Sequence, residues 1–179
     1  HPEFCTNAID EGAAPGYAEY VVWDESQVWK IPDDMPLRKA CLLEPTSIAV
    51  RVADRTDIKL GERVCIQGGG PIGQLCAQVL KMRGATDLTV IEPREDRRAF
   101  ARKFGADHVI DPTQCDVVEE CKRITKGLGY DVVIEITGVP AIADVPLKIA
   151  ADGGTIMYIA MYDDGYAMSV PMTDPFHHR

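Results

Sequence analysis

Short apolar runs alternate with helix-patterned stretches from residue 63 onward: Arg63 to Gln67, Leu88 to Glu92, His108 to Ile110, Asp131 to Ile136 and Thr155 to Met161. Their first residues stand 25, 20, 23 and 24 positions apart, the room that a strand, a crossover helix and a returning parallel strand need. The runs are continuously apolar, as strands covered on both faces are. After the first run, Ile72, Leu75, Cys76, Val79 and Leu80 fall at i, i+3, i+4, i+7 and i+8, one stripe of a helix that Gly84 stops. A second helix is predicted from about Arg94 to Phe104, stopped by Gly105. A third runs from Asp116 to Lys126, with Val117, Cys121 and Ile124 on one side, and a fourth from about Ala141 to Ala150. The pattern predicts an α/β fold with a doubly wound parallel sheet.

Residues 1–62 follow another pattern. Gly16 to Val22 and Gln27 to Ile31 read as short strands split by Asp24-Glu25-Ser26. Pro36 to about Val52 reads as a helix that Pro45 kinks or breaks, because proline lacks the backbone donor and crowds the preceding turn. The charged stretch Asp54 to Gly61 reads as a linker into the first parallel strand.

Composition narrows the classes of partner. The 179 residues carry 19 Lys and Arg against 28 Asp and Glu, a net charge of −9, with 46% hydrophobic residues. A chain of this length can bury roughly 70% of its unfolded surface, so its core needs no disulfide or metal staple. A phosphate polyanion would want clustered cations, and none is visible, which argues against nucleic acid. No stretch approaches the roughly 18 apolar residues of a membrane span, and the N-terminus does not resemble a signal peptide. The expectation is a soluble, cytoplasmic protein with no membrane partner. The chain opens on His1 and not on Met, which reads as a piece of something longer. Six cysteines (Cys5, Cys41, Cys65, Cys76, Cys115, Cys121) form no C-x-x-C pair, so no closed zinc site is encoded here alone. Cys65, Cys76 and Cys121 lie on apolar strand or helix faces and read as small buried hydrophobes.

The chemistry concentrates after the first strand. In Gln67-Gly68-Gly69-Gly70-Pro71-Ile72-Gly73, the residues Gly68, Gly70 and Gly73 fill a Gly-x-Gly-x-x-Gly pattern that opens a helix. The first glycine allows the tight turn, the second lets a pyrophosphate approach the backbone, and the third lets helix and strand pack closely. Pro71 sits in the first helical turn, where its missing N–H costs nothing and the free N–H groups face an anion. Glu92 closes the second strand 19 residues past Gly73, where a carboxylate accepts hydrogen bonds from a ribose diol and repels a 2′-phosphate. The site thus favours NAD over NADP, and the fold reads as a Rossmann-type domain. Arg94, Arg97 and Arg98 follow at once and weigh the other way, since arginine there can pair with a 2′-phosphate.

The runs Gly16 to Tyr20, Ile31 to Asp34, Leu43-Glu44-Pro45, Ile58 to Gly61, Gly68 to Gly73, Gly105 to Asp107 and Asp131 to Gly138, taken together, resemble the zinc-dependent medium-chain dehydrogenases. Within these they are more similar to the polyol and threonine dehydrogenase branch than to the classical alcohol dehydrogenases. The resemblance covers nearly the whole chain. It implies that residues 1–53 are part of a GroES-like catalytic domain with its connecting helix, and that residues 54–179 are an NAD-binding domain one strand short of six. It also implies that Cys5 is the last of four cysteines around a structural zinc and that Glu44 is a ligand, direct or through water, of the catalytic zinc. The other catalytic ligands, a Cys and a His-Glu pair, have no counterpart in this chain. Cys41, one turn before Glu44, reads as a packed helix cysteine, and His177-His178 as a surface loop.

By the same resemblance, Gly68, Gly70, Pro71, Ile72 and Gly73 contact the pyrophosphate, and Glu92 and Arg97 the adenosine ribose. Thr137, Gly138 and Ile159 to Met161 line the nicotinamide half, and Ile48 packs on the nicotinamide ring. The implied activity is hydride transfer between NAD and a small secondary alcohol, polyol or amino alcohol, assisted by zinc in a homo-oligomeric parent, with this piece alone inactive. Two alternatives stand beside it. One is the zinc-free quinone or enoyl reductase branch, which prefers NADPH and has no use for Glu44 or Cys5. The other is a dinucleotide-binding module without catalysis.

Overall fold

The computed structural model describes residues 19–20 and 22–170. The chain divides into two compact units, His1–Cys41 and Leu42–Arg179. In the first, a 3-10 turn at Glu25–Gln27 is capped by Asp24, whose Oδ1 accepts from the Ser26 backbone N–H at 2.8 Å and the Ser26 hydroxyl at 2.6 Å. One short helix follows, α1 (Leu37–Ala40). The strands expected around Gly16 to Val22 and Gln27 to Ile31 do not form among the described residues of this unit. Their apolar side chains, Val22, Val28 and Trp29 among them, are exposed and lack the partner ladder that stabilises a strand. Cys41 is exposed and not packed as expected, its thiol donating to the Arg38 carbonyl at 3.2 Å.

The second unit opens with α2 (Leu43–Thr56). The interruption expected at Pro45 falls at Cys41 and Leu42, because the proline ring would collide with the carbonyl four residues earlier. Pro45 itself lies in the first turn of α2, where a missing donor is harmless. Ala49, Val52, Ala53 and Thr56 form the buried stripe, and Asp57 ends the helix in a left-handed conformation with φ 48°. The helix thus takes up the first residues of the expected linker.

Five parallel strands follow: β1 (Arg63–Gln67), β2 (Asp87–Ile91), β3 (His108–Ile110), β4 (Tyr130–Glu135) and β5 (Ala150–Tyr158). Between them run α3 (Pro71–Arg83), α4 (Glu95–Lys103), α5 (Val117–Thr125) and α6 (Val145–Ile149), with a 3-10 turn at Pro140–Ile142 before α6. The sheet order is β3-β2-β1-β4-β5, so the chain reverses direction across the sheet between β1 and β4. This is the Rossmann-type doubly wound sheet the spacing predicts.

Alternation along the strands sorts the core onto two faces. Val64, Ile66, Leu88, Val90, Val132 and Ile134 pack with Ala49, Val52 and Ala53 of α2 and with Cys76, Ala77 and Leu80 of α3. Cys65, Ile91, Ile110, Tyr130 and Val133 face the other way, toward Cys121 of α5 and Ile149 of α6. A strand whose neighbouring residues both meet a helix layer must be apolar throughout, which explains the runs. Cys65, Cys76 and Cys121 are buried, as their positions predict. β5 starts five residues earlier than expected, since Gly153, at φ +74°, sits at an irregularity in the β4–β5 register and not in a turn before the strand. Among the described residues, no helix is long and apolar enough to cross a membrane.

Candidate functional site

The carboxyl ends of β1 and β2 and the start of α3 meet at the glycine turn. Gly68 has φ +118°, and a Cβ on it would lie 2.8 Å from Ile136 Cγ2 and 3.1 Å from Thr137 Cγ2. A Cβ on Gly73 would lie 1.9 Å from the Gly68 carbonyl oxygen, so only glycine lets α3 start this close to the strand it leaves. Gly70, by contrast, is open, with the nearest atom to its notional Cβ being Arg97 Nη1 at 4.0 Å. It is also the N-cap of α3, and no side chain caps the helix there. The first-turn N–H groups are left for an external acceptor, with the positive end of the helix dipole behind them. Pro71 and Ile72 form the first two helical positions, half exposed or exposed at the mouth of this turn.

Gly69, the middle residue of the turn, carries a role that the sequence pattern leaves blank. Its N–H donates to Glu92 Oε2 at 3.0 Å, and a Cβ on it would meet Glu92 Cβ at 2.9 Å. Glu92 is 3% exposed, and its Oε1 accepts from the Arg94 backbone N–H at 2.9 Å. The carboxylate is thereby fixed against the glycine turn at the end of β2, the strand end where the 19-residue spacing puts Glu92. Gln74 completes the brace: its Nε2 donates to the Gly69 carbonyl at 3.0 Å and to the Arg97 carbonyl at 2.9 Å.

The three arginines after β2 separate by role. Arg98 is buried and donates to the carbonyls of Glu92 at 2.8 Å and Pro93 at 2.6 Å, with Asp111 at 2.8 Å and Glu95 at 2.8 Å as ion-pair partners. Arg94 is exposed and holds Asp96 with two contacts, which keep the Asp96 carboxyl below the usual range. Arg97 alone extends beside the site, its Nη1 3.6 Å from Glu92 Oε2 and its side chain 40% exposed.

Beyond the switch, the ends of β4 and β5 hold Thr137 and Gly138 and the stretch Ile159 to Met161. Thr137 donates from its N–H at 2.7 Å, and also from its hydroxyl, to Oε1 of Glu135, which is wholly buried. Tyr162 donates to the other oxygen of Glu135 at 2.6 Å. Gln67 and Glu135 were not marked as candidates from the sequence. The available signal was a polar residue at the carboxyl end of each of two strands with apolar centres, Val64 to Ile66 and Val132 to Ile134.

Glu44 and Ile48 lie on α2 four residues apart and share one exposed face, Ile48 being 40% exposed. Among the described residues, no three His, Cys, Asp or Glu side chains gather as a metal group, at Glu44 or elsewhere. Cys5 and His177-His178 lie outside the described residues. The glycine cradle, the uncapped helix and the fixed carboxylate fit a dinucleotide, whereas the described residues alone do not build a zinc centre. A cavity of about 410 Å³, lined in part by Arg63, Thr125, Asp131 and Ala150, opens at the amino ends of β1 and β4, away from this site.

The chain is similar to several dehydrogenases. The chain is 33% identical over 155 residues to (R,R)-butanediol dehydrogenase of Bacillus subtilis, covering 86% of this chain and 44% of that protein. It is 39% identical over 146 residues to L-threonine 3-dehydrogenase of Pyrococcus abyssi, covering 82% and 42%. The chain therefore spans less than half the length of these relatives. A crystal structure of a candidate zinc-binding dehydrogenase from Sinorhizobium meliloti, bound to NADP, superposes with a TM-score of 0.79 at 30% identity, covering 83% of this chain and 44% of that one. With the zinc-binding dehydrogenase family model matching residues 71–179, the chain belongs to the zinc-binding dehydrogenases.

Proposed function

We propose that this chain is the cofactor-binding part of a zinc-assisted dehydrogenase that moves a hydride between NAD and a small secondary alcohol, polyol or amino alcohol. The observation that carries the reading is the Gly68 to Gly73 turn, closed so tightly that Gly73 touches the Gly68 carbonyl and followed by an uncapped helix beside Glu92. Bound there, NAD supplies the hydride acceptor. The backbone N–H groups of Gly70, Ile72 and Gly73 hold the pyrophosphate, and Pro71 and the Ile72 side chain shape its rim. Glu92 accepts from the adenosine ribose diol, and Arg97 flanks it. Thr137, Gly138 and Ile159 to Met161 line the nicotinamide half, with Ile48 against the ring. Glu44 and Cys5 contribute ligands to two zinc sites whose other ligands lie beyond this chain, with residues 1–53 belonging to the catalytic domain and 54–179 to the cofactor domain.

NAD is favoured over NADP because a fixed, buried carboxylate repels a 2′-phosphate and because Arg98 and Arg94 are engaged elsewhere. Arg97 supports the second reading, NADP, since its guanidinium stands beside Glu92 on a side chain that is 40% exposed, and one relative of similar fold carries NADP. Calorimetric titration of the chain with NADH and with NADPH separates the two. NADH binding at least about tenfold tighter than NADPH supports the first, the reverse order supports the second, and binding of neither overturns both. No alcohol-dependent NADH production is expected from this chain alone, and measurable turnover would refute its dependence on ligands elsewhere.

A further inference from the structure

Gln67 and Glu135 are register partners at the carboxyl ends of β1 and β4, the two strands that flank the reversal in sheet order. Both are buried, Glu135 completely. Among the described residues, no Lys, Arg or His pairs with Glu135, and a carboxylate out of water is costly unless neutral donors satisfy it. Its donors come from two different segments: Thr137, just after β4, and Tyr162, just after β5. One carboxylate thus ties two strand-end loops together.

Other contacts close the same unit. A Cβ on Gly138, at φ +67°, would lie 2.6 Å from the Met161 carbonyl, so the two loops are in backbone contact. The Thr137 hydroxyl accepts from the Val139 N–H at 3.1 Å. The Tyr162 ring stacks on Tyr166, with centroids 4.9 Å apart, and the Tyr166 hydroxyl donates to the Pro140 carbonyl at 3.2 Å. The connections run from the β4 loop to the β5 loop and back.

A dinucleotide with its pyrophosphate on Gly68 to Gly73 and its adenosine ribose at Glu92 extends its other half across the reversal, over the ends of β4 and β5. We propose that Glu135 and Tyr162 are positioning residues, a clasp that holds Thr137-Gly138 and residues 159–162 as one wall for the nicotinamide half without touching the adenosine half. The proposal rests on the dinucleotide reading above.

ADP-ribose tests it, because it keeps everything except the nicotinamide. Glu135→Gln preserves size but can put an amide NH₂ where Tyr162 needs an acceptor, and Tyr162→Phe removes the same bond while keeping the stacked ring. Each variant of the chain is expected to weaken NADH binding by about tenfold and ADP-ribose binding by no more than about twofold. The double variant should weaken NADH no further than either single, since both break one bond. Hydrogen exchange gives a second readout: residues 159–166 gain protection with NADH but not with ADP-ribose, and the variants lose that gain. Equal weakening of both ligands, or unchanged NADH affinity in Tyr162→Phe, overturns the clasp. If the wild-type chain binds neither ligand, the dinucleotide reading itself falls.

Discussion

Replacing Gly73 with Ala puts the steric argument for the glycine turn at risk. The new methyl would lie 1.9 Å from the Gly68 carbonyl oxygen and 3.1 Å from its carbon, where real Cβ atoms keep at least 3.0 Å. The start of α3 must then move away from the turn by about 1.1 Å. No side chain can rotate to relieve this, because the obstacle is backbone and α3 is anchored by buried Cys76, Ala77 and Leu80. Overpacking of this kind costs about 1–3 kcal/mol. In urea unfolding followed by circular dichroism, the midpoint should fall by that free energy with the slope unchanged. Gly70→Ala is the matched control. Its φ of −69° and ψ of −176° suit any residue, and its methyl would meet nothing nearer than 4.0 Å. It should cost no more than about 1 kcal/mol, the scale of a changed N-cap, yet weaken NADH binding at least about tenfold by standing where a phosphate approaches. A Gly73→Ala chain with the wild-type midpoint, or a Gly70→Ala chain destabilised as much as Gly73→Ala, would refute the reasoning.

Arg98→Met should cost about 3 kcal/mol in thermal or urea unfolding, because it strands two carbonyls and Asp111 in a buried network. Arg97→Met in the same assay should change stability by less than about 0.5 kcal/mol; equal losses would mean the two arginines do not differ in role. Tyr130 donates to the Thr89 hydroxyl at 2.8 Å with both residues fully buried, so Tyr130→Phe and Thr89→Val should each cost about 1–2 kcal/mol, and the double variant less than their sum. Asp131 is held below its ordinary value of 3.8 by the Arg63 guanidinium, 2.9 Å away. Its contribution is therefore present above its unfolded pKa and is lost as pH falls through the lower folded value. Asp131→Asn should remove about 1 kcal/mol at neutral pH, as suits a partly exposed pair, and flatten the stability curve below about pH 4.

The sheet was legible because its physics is local in sequence. Strands covered on both faces are apolar through their centres, so β1 and β3 emerge residue for residue and most other elements within one or two. The glycine turn was legible because sterics admit few residue types there, and Glu92 because it stands at the end of the next strand, 19 residues past Gly73. Roles set by direction were not. Arg97 and Arg98 are adjacent on a helix, and a rotation of about 100° sends one to the site and the other into the core. The role of Glu135 was not legible either, since nothing nearby in sequence announces Tyr162, which is 27 residues beyond it. Val28 and Trp29 have the composition of a strand, but composition supplies no partner.

The two backbone hydrogen bonds on Glu92 bear on affinity as well as on shape. A flexible glutamate at a binding site loses rotamer freedom when its ligand arrives, typically about 0.5–1.5 kcal/mol for an immobilised side chain. Here that freedom is already lost during folding, because Gly69 and Arg94 hold one oxygen each. Each oxygen keeps a second lone pair, so a diol can add its hydrogen bonds without displacing either holder. On the dinucleotide reading proposed above, the carboxylate is preorganised by the same turn that would cradle the phosphates, and a loosened turn would weaken recognition of the sugar together with that of the pyrophosphate.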